Sequence, residues 1–321
     1  MKTRKGTKMS KKEAEEYKEL QKNKVKEITD KLESGIKDLF SSGKYETWLR
    51  TMSKFHDYSL NNTILIAIQK PDATMVAGYK QWQKNFGRNV KQGEKAIKIL
   101  AWNPYKAKVE TDKLDPFTQE PIRDENGNKV KEITEVKRPS YKVVSVFDIS
   151  QTDGKELPTL GVDELDGSVK DFDTFFEALK RTCPVPIAFE QIKGGAKGYY
   201  HLKEKRIAIL AGMSETQTLK TAIHEMAHQK LHSEETPNVL DIALTRGEKE
   251  VEAESVAYTV CQYFGIDTSD YSFGYVAGWS HGKELADLKE SLLTIRTAAV
   301  SLIDDIEGHI KALKQQLEPA S

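Results

Sequence analysis

Residues 224–228 read His224-Glu225-Met226-Ala227-His228, and the residues around them require a helix. Ser214 followed by Gln217 three positions later is a helix-start pattern. Leu219, Ala222, Ile223, Met226, Ala227 and Leu231 then recur at three- and four-residue spacing, which predicts an amphipathic helix with that stripe turned to a core. His224 and His228 stand four apart, so their imidazoles leave the helix together, away from the stripe. Two imidazoles one turn apart suit a single zinc ion, and Glu225 beside the first is placed to handle a proton of a water activated there. The plainer alternative is a helix that happens to expose two histidines and a glutamate.

A catalytic zinc usually keeps three protein ligands and one open position. No third histidine follows at the HExxHxxGxxH spacing, so a carboxylate is expected from Glu250-Val251-Glu252-Ala253-Glu254-Ser255-Val256-Ala257, in a helix closed by Gly265. Ala253, Val256, Ala257, Val260 and Phe264 mark its buried side. Glu250 and Glu254 flank that side, and Glu252 groups with Ser255 and Thr259 on the polar face. Glu250 is the first choice as ligand, with Glu254 and Glu252 as the alternatives. With Glu250 in that role, Glu254 would accept the second N–H of a ligand histidine, and His232 reads as a rim residue. In such a centre Glu225 takes a proton from water and delivers it to the leaving amine. The strand at 206–210 offers an edge to an extended peptide, and Tyr258, Tyr271 and Tyr275 are candidate oxyanion donors.

At 321 residues the chain is long for one core and suits two domains. No run approaches the apolar length of a membrane span, and the basic N-terminus has no apolar segment behind it, which argues against a secretory signal. Cys183 and Cys261 are too few for a disulfide framework, so a cytoplasmic setting is expected. The net charge is zero, yet residues 1–110 carry 24 Lys+Arg against 13 Asp+Glu, a balance of +11 that leaves −11 for the remainder. A basic module joined to an acidic enzyme would show this, and so would two solvated faces of opposite sign.

The organisation expected is α+β in two domains: an N-terminal α+β domain that binds single-stranded DNA, and a C-terminal zincin-like metalloprotease domain with a long C-terminal helix. Residues 1–40 form a charged helical arm, and 41–150 the first domain, with a charged insertion or surface hairpin at 105–139. A linker at 151–158 leads to the second domain at 159–282, with a meander of short strands at 187–190, 199–202 and 206–210. An amphipathic helix closes the chain at 283–321, packed on its own protein or, alternatively, forming a dimer coil; a monomer is expected. In the first domain Trp48, Trp82 and Trp102 are interleaved with cations. Trp82, Lys84, Arg88, Lys91, Lys95 and Lys98 are the candidate contacts, aromatic faces stacking bases and cations following phosphates. A core role for Trp48 and Trp82 is the plainer alternative.

The meander, the HExxH helix and the later ExxAE element resemble the ImmA/IrrE-type gluzincin metallopeptidases. In that pattern the first Glu of the second element is the ligand, which lands on Glu250, with Glu254 one turn on. The N-terminal half resembles the ArdC antirestriction proteins through residues 45–48, Tyr58-Ser59 with Asn61-Asn62, Ile64-Leu65-Ile66 with Gln69, Trp82, the 90–95 segment with Ile97, and Val146-Phe147-Asp148-Ile149-Ser150-Gln151-Thr152. The resemblance implies a single-stranded-DNA-binding half, a metalloprotease-like half with one zinc ion and a peptide or protein substrate, and carriage by a mobile element whose incoming DNA is protected. The 105–139 segment and the long last helix depart from the compact pattern and suggest a mobile-element relative of the ArdC type. Two other readings remain: a regulatory protease of the ImmA kind that cleaves a repressor, and a DNA-binding accessory protein with a structural zinc site, against which Glu225 speaks.

Overall fold

The computed structural model describes residues 11–40, 43–157, 169–233, 244–269, 271, 273, 276, 280 and 282–317. They mix helices with several small sheets and fall into two compact units, 1–29 with 98–145 and 30–97 with 146–321.

The larger unit is mainly helical. The part of α1 (Lys11–Leu39) that belongs to it, from Asp30 on, buries Leu32, Ile36 and Leu39. α2 (Lys44–Lys54) buries Trp48, Leu49 and Met52, matching the helical spacing seen in the sequence. α3 (Leu60–Gln69) starts where the Ser59 hydroxyl accepts the Asn62 N–H, and it stops short of Pro71. α5 (Val169–Thr182) packs on the long last helix, α8 (Leu285–Leu317). That helix buries Leu288, Leu292, Ile295, Leu302 and Ile306 within its own chain. Arg296 of α8 donates to the Tyr58 and His56 carbonyls at 2.8 and 3.0 Å, tying it to the α2–α3 turn.

α6 (Glu215–His232) and α7 (Arg246–Tyr263) hold the site. α7 is packed by α2, α6 and α8, and it is buried on nearly every side from Val251 to Cys261. α6 lies on a three-stranded sheet. β10 (Arg206–Leu210) pairs in parallel with β8 (Ile187–Glu190) and antiparallel with β9 (Gly198–His201). The expected meander is thus rearranged: β10 inserts between the two earlier strands, and β9 becomes an outer strand.

Around the short helix α4 (Tyr79–Asn85), β1 (Val76–Gly78) pairs with the end of β6 (Tyr141–Asp148), and β2 (Arg88–Val90) pairs with β7 (Thr152–Gly154). Gly154 allows that last pairing, because a Cβ there would lie 2.6 Å from the Gly87 carbonyl. Residues 152–154 are therefore a paired strand where a linker was expected, and helices from before and after them share one compact unit.

In the smaller unit β3 (Ile97–Trp102) leads into a two-stranded ribbon, β4 (Tyr105–Asp112) with β5 (Lys131–Arg138), registered from Tyr105↔Arg138 to Asp112↔Lys131. This is the hairpin expected at 105–139, and its Asp124 side chain accepts the Asn126 and Asn128 N–H groups. Between Leu100 and Ser145 no residue is buried. Among the described residues no helix is long and apolar enough to cross a membrane.

Candidate metal centre

Ser214 caps α6 by accepting the Gln217 N–H, and the apolar stripe is buried from Leu219 to Ala227, with Leu231 half-buried. On the opposite side His224 Nε2 and His228 Nε2 approach to 3.1 Å, and Glu250 Oε2 stands 3.6 and 3.5 Å from them. The three donor atoms lie within 4.8 Å of one another. Two imidazole nitrogens and one carboxylate oxygen with a common focus could hold a divalent metal ion.

Glu250 is delivered by the first turn of α7, which is pinned in three ways. The Thr245 hydroxyl accepts the Glu248 N–H while the Glu248 carboxylate accepts the Thr245 N–H. Lys283 pairs with Glu248. His232 Nε2 donates to the Lys249 carbonyl at 3.1 Å, bolting the end of α6 to the residue before Glu250. The hydrogen bonds from His224 and His228 hold the Glu250 carboxyl well below the usual carboxylate range. Burial alone would lower His224, but the Glu250, Glu225 and Glu254 carboxylates outweigh it and raise that imidazole.

Glu225 is buried under β9. Burial pushes its pKa up, against the pull of His224 and His228, and the Tyr200 backbone N–H donates to it. β9 comes this close because it starts with glycine: a Cβ on Gly198 would lie 2.6 Å from Thr221 Cγ2 and 3.3 Å from Glu225 Cγ. Gly198, Thr221, His224 and Glu225, together with Glu254 and Tyr271, line an open cleft of about 370 Å³.

Several expectations are corrected. Glu252, Ser255 and Thr259 do not face solvent; all three are buried, because α7 is enclosed by three helices. Their polar atoms are partnered inside: Ser255 Oγ shares a 2.8 Å hydrogen bond with Tyr45 OH, Thr259 donates to the Ser255 carbonyl, and Glu252 meets His232 at 3.8 Å. His232 is accordingly no rim residue. Burial lowers it to about 4 and raises Glu252 to about 7. Glu254 stands on the cleft wall beside His224 and Glu225. Tyr258 donates to Glu46, away from the cleft; Tyr271 lines it; Tyr275 lies outside the described residues. β10 is paired on both sides, so the open edges of the sheet belong to β8 and β9, of which β9 meets the cleft at Gly198.

The nucleic-acid candidates also sort by burial. Trp82 is a core residue whose indole N–H donates to the Phe147 carbonyl at 2.8 Å, and it has no face for a base. Arg88 spends its guanidinium on Thr152, Gly154 and Lys155, clamping β7. Lys91 donates to the Ser150 carbonyl. Lys84 and Lys95 are exposed. Lys98 donates to the Ser145 hydroxyl on an exposed face of the smaller unit. Trp102 and Tyr141 meet edge to face on that unit at 5.3 Å, and both are exposed, as is Tyr105. Tyr141 was missed, although period-two alternation groups it with Val143 and Ser145, as it groups Lys98 with Leu100 and Trp102.

Two histidines of one helix and a glutamate of the next converge beside a buried acid, a donor set of the two-histidine, one-carboxylate class that could hold a divalent ion. Residues 15–147 match the family described as the N-terminal domain of anti-restriction factor ArdC, and over that stretch the chain is ArdC-like. The Mn(II)-bound crystal structure of antirestriction ArdC protein from the R388 plasmid aligns over 89% of this chain and 97% of its own, with a TM-score of 0.51 at 19% identity. At that identity the likeness is one of fold. The metal-free structure of that protein aligns over 79% of this chain and 86% of its own, with a TM-score of 0.46 at 22% identity. An uncharacterized protein of Bacillus anthracis is 30% identical over 336 aligned residues, or 94% of this chain. The chain spans about half of that relative's length, 54%.

Proposed function

We propose that this chain is an antirestriction protein of a mobile element, carrying a metal-dependent peptidase centre and a surface for single-stranded DNA. The convergence of His224, His228 and Glu250 beside buried Glu225 carries the enzymatic half of this reading. A structural site has no need of a buried acid with a raised pKa next to its ligands. The antirestriction half rests on the ArdC match and fold. Zinc is the expected ion from the donor set, and the ArdC of plasmid R388 is known with Mn(II) bound. Such an ion supplies a Lewis acid that polarises a carbonyl and activates water.

The remaining chemistry belongs to the chain. Glu225, whose pKa burial raises, accepts a proton and returns it to a leaving amine. The Tyr200 N–H holds that carboxylate in place. β9, the outer strand along the cleft, presents its backbone to an extended peptide.

Single-stranded DNA fits the exposed face of the smaller unit, where Trp102 and Tyr141 offer rings beside Lys98, and Tyr105 pairs with Arg138. The test combines metal analysis, hydrolysis of a peptide library, and DNA binding across a salt series. One divalent ion per chain is expected. Glu225→Gln should keep the ion and lose activity on the order of 10² or more, and DNA affinity should fall log-linearly with salt. Bound metal with equal hydrolysis by wild type and Glu225→Gln would refute the peptidase assignment.

A further inference from the structure

The cleft has two electrically different ends, and only one belongs to the metal centre. α6 turns Gln217, Lys220, Thr221, His224 and Glu225 toward it, a run at three- and four-residue spacing along one helical face. At the metal end the cleft is lined by His224 and by the acids Glu225 and Glu254. One helical turn earlier stands Lys220, and Lys197 of the loop that enters β9 lines the same cleft, bonded to Gln217.

Both cations are held. Lys220 lines the cleft although only 7% exposed, with its ammonium 4.9 Å from the centre of the Tyr271 ring. Lys197 donates to Gln217 Oε1 at 2.8 Å, and Gln217 donates onward to the Thr221 hydroxyl at 3.3 Å. Asp267, which accepts the Ser269 N–H and hydroxyl at 2.9 and 3.0 Å, also feels the Lys220 charge. The separation along the cleft is informative. Four residues of helix rise about 6 Å, and two residues of extended chain span about 6.6 Å. A peptide whose carbonyl sits at the histidines therefore places a side chain two residues away at Lys220. A carboxylate there meets two ammonium groups, whereas the other end would repel it.

We propose that the Lys220–Lys197 end of the cleft is a specificity subsite for an acidic side chain, so that the peptides bound carry Asp or Glu within two residues of the bond at the metal centre. This rests on the peptidase reading above. Charge-assisted hydrogen bonds of this kind change affinity by roughly tenfold to a hundredfold.

The test uses the full chain loaded with zinc and three matched peptide hydroxamates, read by calorimetry so that no turnover is needed. They carry Glu with an amidated end, Gln with an amidated end, and Gln with a free terminal carboxylate. The Glu probe should bind at least about tenfold more tightly than the amidated Gln probe. That ratio should fall toward one in Lys220→Met, which keeps the buried stem, and survive in Lys220→Arg. Lys197→Ala, an exposed change that spares the fold, should lower it partially. Equal affinities in the wild type overturn the subsite, as does displacement of the Glu probe by a single-stranded oligonucleotide at low concentration. Preference for the free-carboxylate probe overturns the side-chain assignment. Failure of every hydroxamate to bind zinc-loaded protein overturns the peptidase reading itself, an outcome distinct from equal binding of all three.

Discussion

Two tryptophans twenty residues apart should respond to the same substitution in opposite ways. Trp82 is 0% exposed and its N–H bonds the Phe147 carbonyl. A buried tryptophan removes about 250 Å² from water, worth at most ~6 kcal/mol at 25 cal/mol per Å². Core truncations to alanine cost about 3–5 kcal/mol, and the abandoned carbonyl adds roughly 1–3 kcal/mol. Trp82→Ala should therefore lose much of a stability that totals about 5–15 kcal/mol. Trp102 is 58% exposed and keeps one edge-to-face contact, with Tyr141. Its removal should cost about 1–2 kcal/mol of stability and about 1–3 kcal/mol of binding to single-stranded DNA, the worth of one stacked base. Urea unfolding of both variants, with anisotropy of a labelled oligonucleotide at fixed salt, separates the cases. A Trp82→Ala protein with wild-type stability and lost DNA binding would refute the burial argument. Unchanged DNA affinity in Trp102→Ala would remove the β3–β6 face from the interface.

Other outcomes follow from the same geometry. Glu250→Gln should weaken metal binding by tenfold or more in a competition with a chelator, and Glu252→Gln far less; the reverse order would make Glu252 the ligand. Gly198→Ala should cost about 1–3 kcal/mol in thermal unfolding, because the new methyl meets Thr221 and the β10 carbonyl of Ala208; an unchanged melting temperature would contradict the close approach of β9 to α6. Burial would raise Asp148, but hydrogen bonds from Ser150, Thr74 and Met75 hold it below its ordinary value. Its contribution is present above the unfolded-state pKa and is lost as pH falls through the folded one. Asp148→Asn should thus be destabilised by about 2–3 kcal/mol at pH 7, with the difference shrinking below about pH 4. A gap independent of pH would show that the carboxylate charge is not what matters.

The convergence of His224 and His228 was legible because helix geometry constrains the spacing: side chains at i and i+4 leave the helix on one face. The choice of Glu250 also came from spacing, although the face argument behind it failed at Glu252, Ser255 and Thr259. Apolar period reports one buried side, and α7 has several. The partners that make its polar residues tolerable inside, Tyr45 and His232, come from distant or separate segments. The Trp82 and Arg88 assignments failed for a related reason. Local composition shows aromatics among cations, but not which indole finds a carbonyl or which guanidinium is used up by a neighbouring strand. The segment from Val146 to Thr152 carried no visible chemistry because its work is structural. Asp148 accepts the Thr74, Met75 and Ser150 N–H groups, and Gln151 reaches Glu94 and the Lys95 carbonyl.

The larger unit is assembled from two stretches of chain with the ribbon between them, and this bears on its synthesis. Tyr45 and Glu46 find their partners Ser255 and Tyr258 210 and 212 residues later. At ribosomal rates of about 5–20 residues per second, α2 and α3 wait roughly 10–40 s before α7 emerges to cover them. During that interval Trp48, Leu49 and Met52 lack the surface they are shaped for, while the β4–β5 ribbon needs only its own neighbours to close. The nascent chain therefore passes through a long stage with its arm formed and its core open. Slower growth temperatures or a holdase chaperone should raise the soluble yield of this protein more than that of a chain whose core is contiguous in sequence.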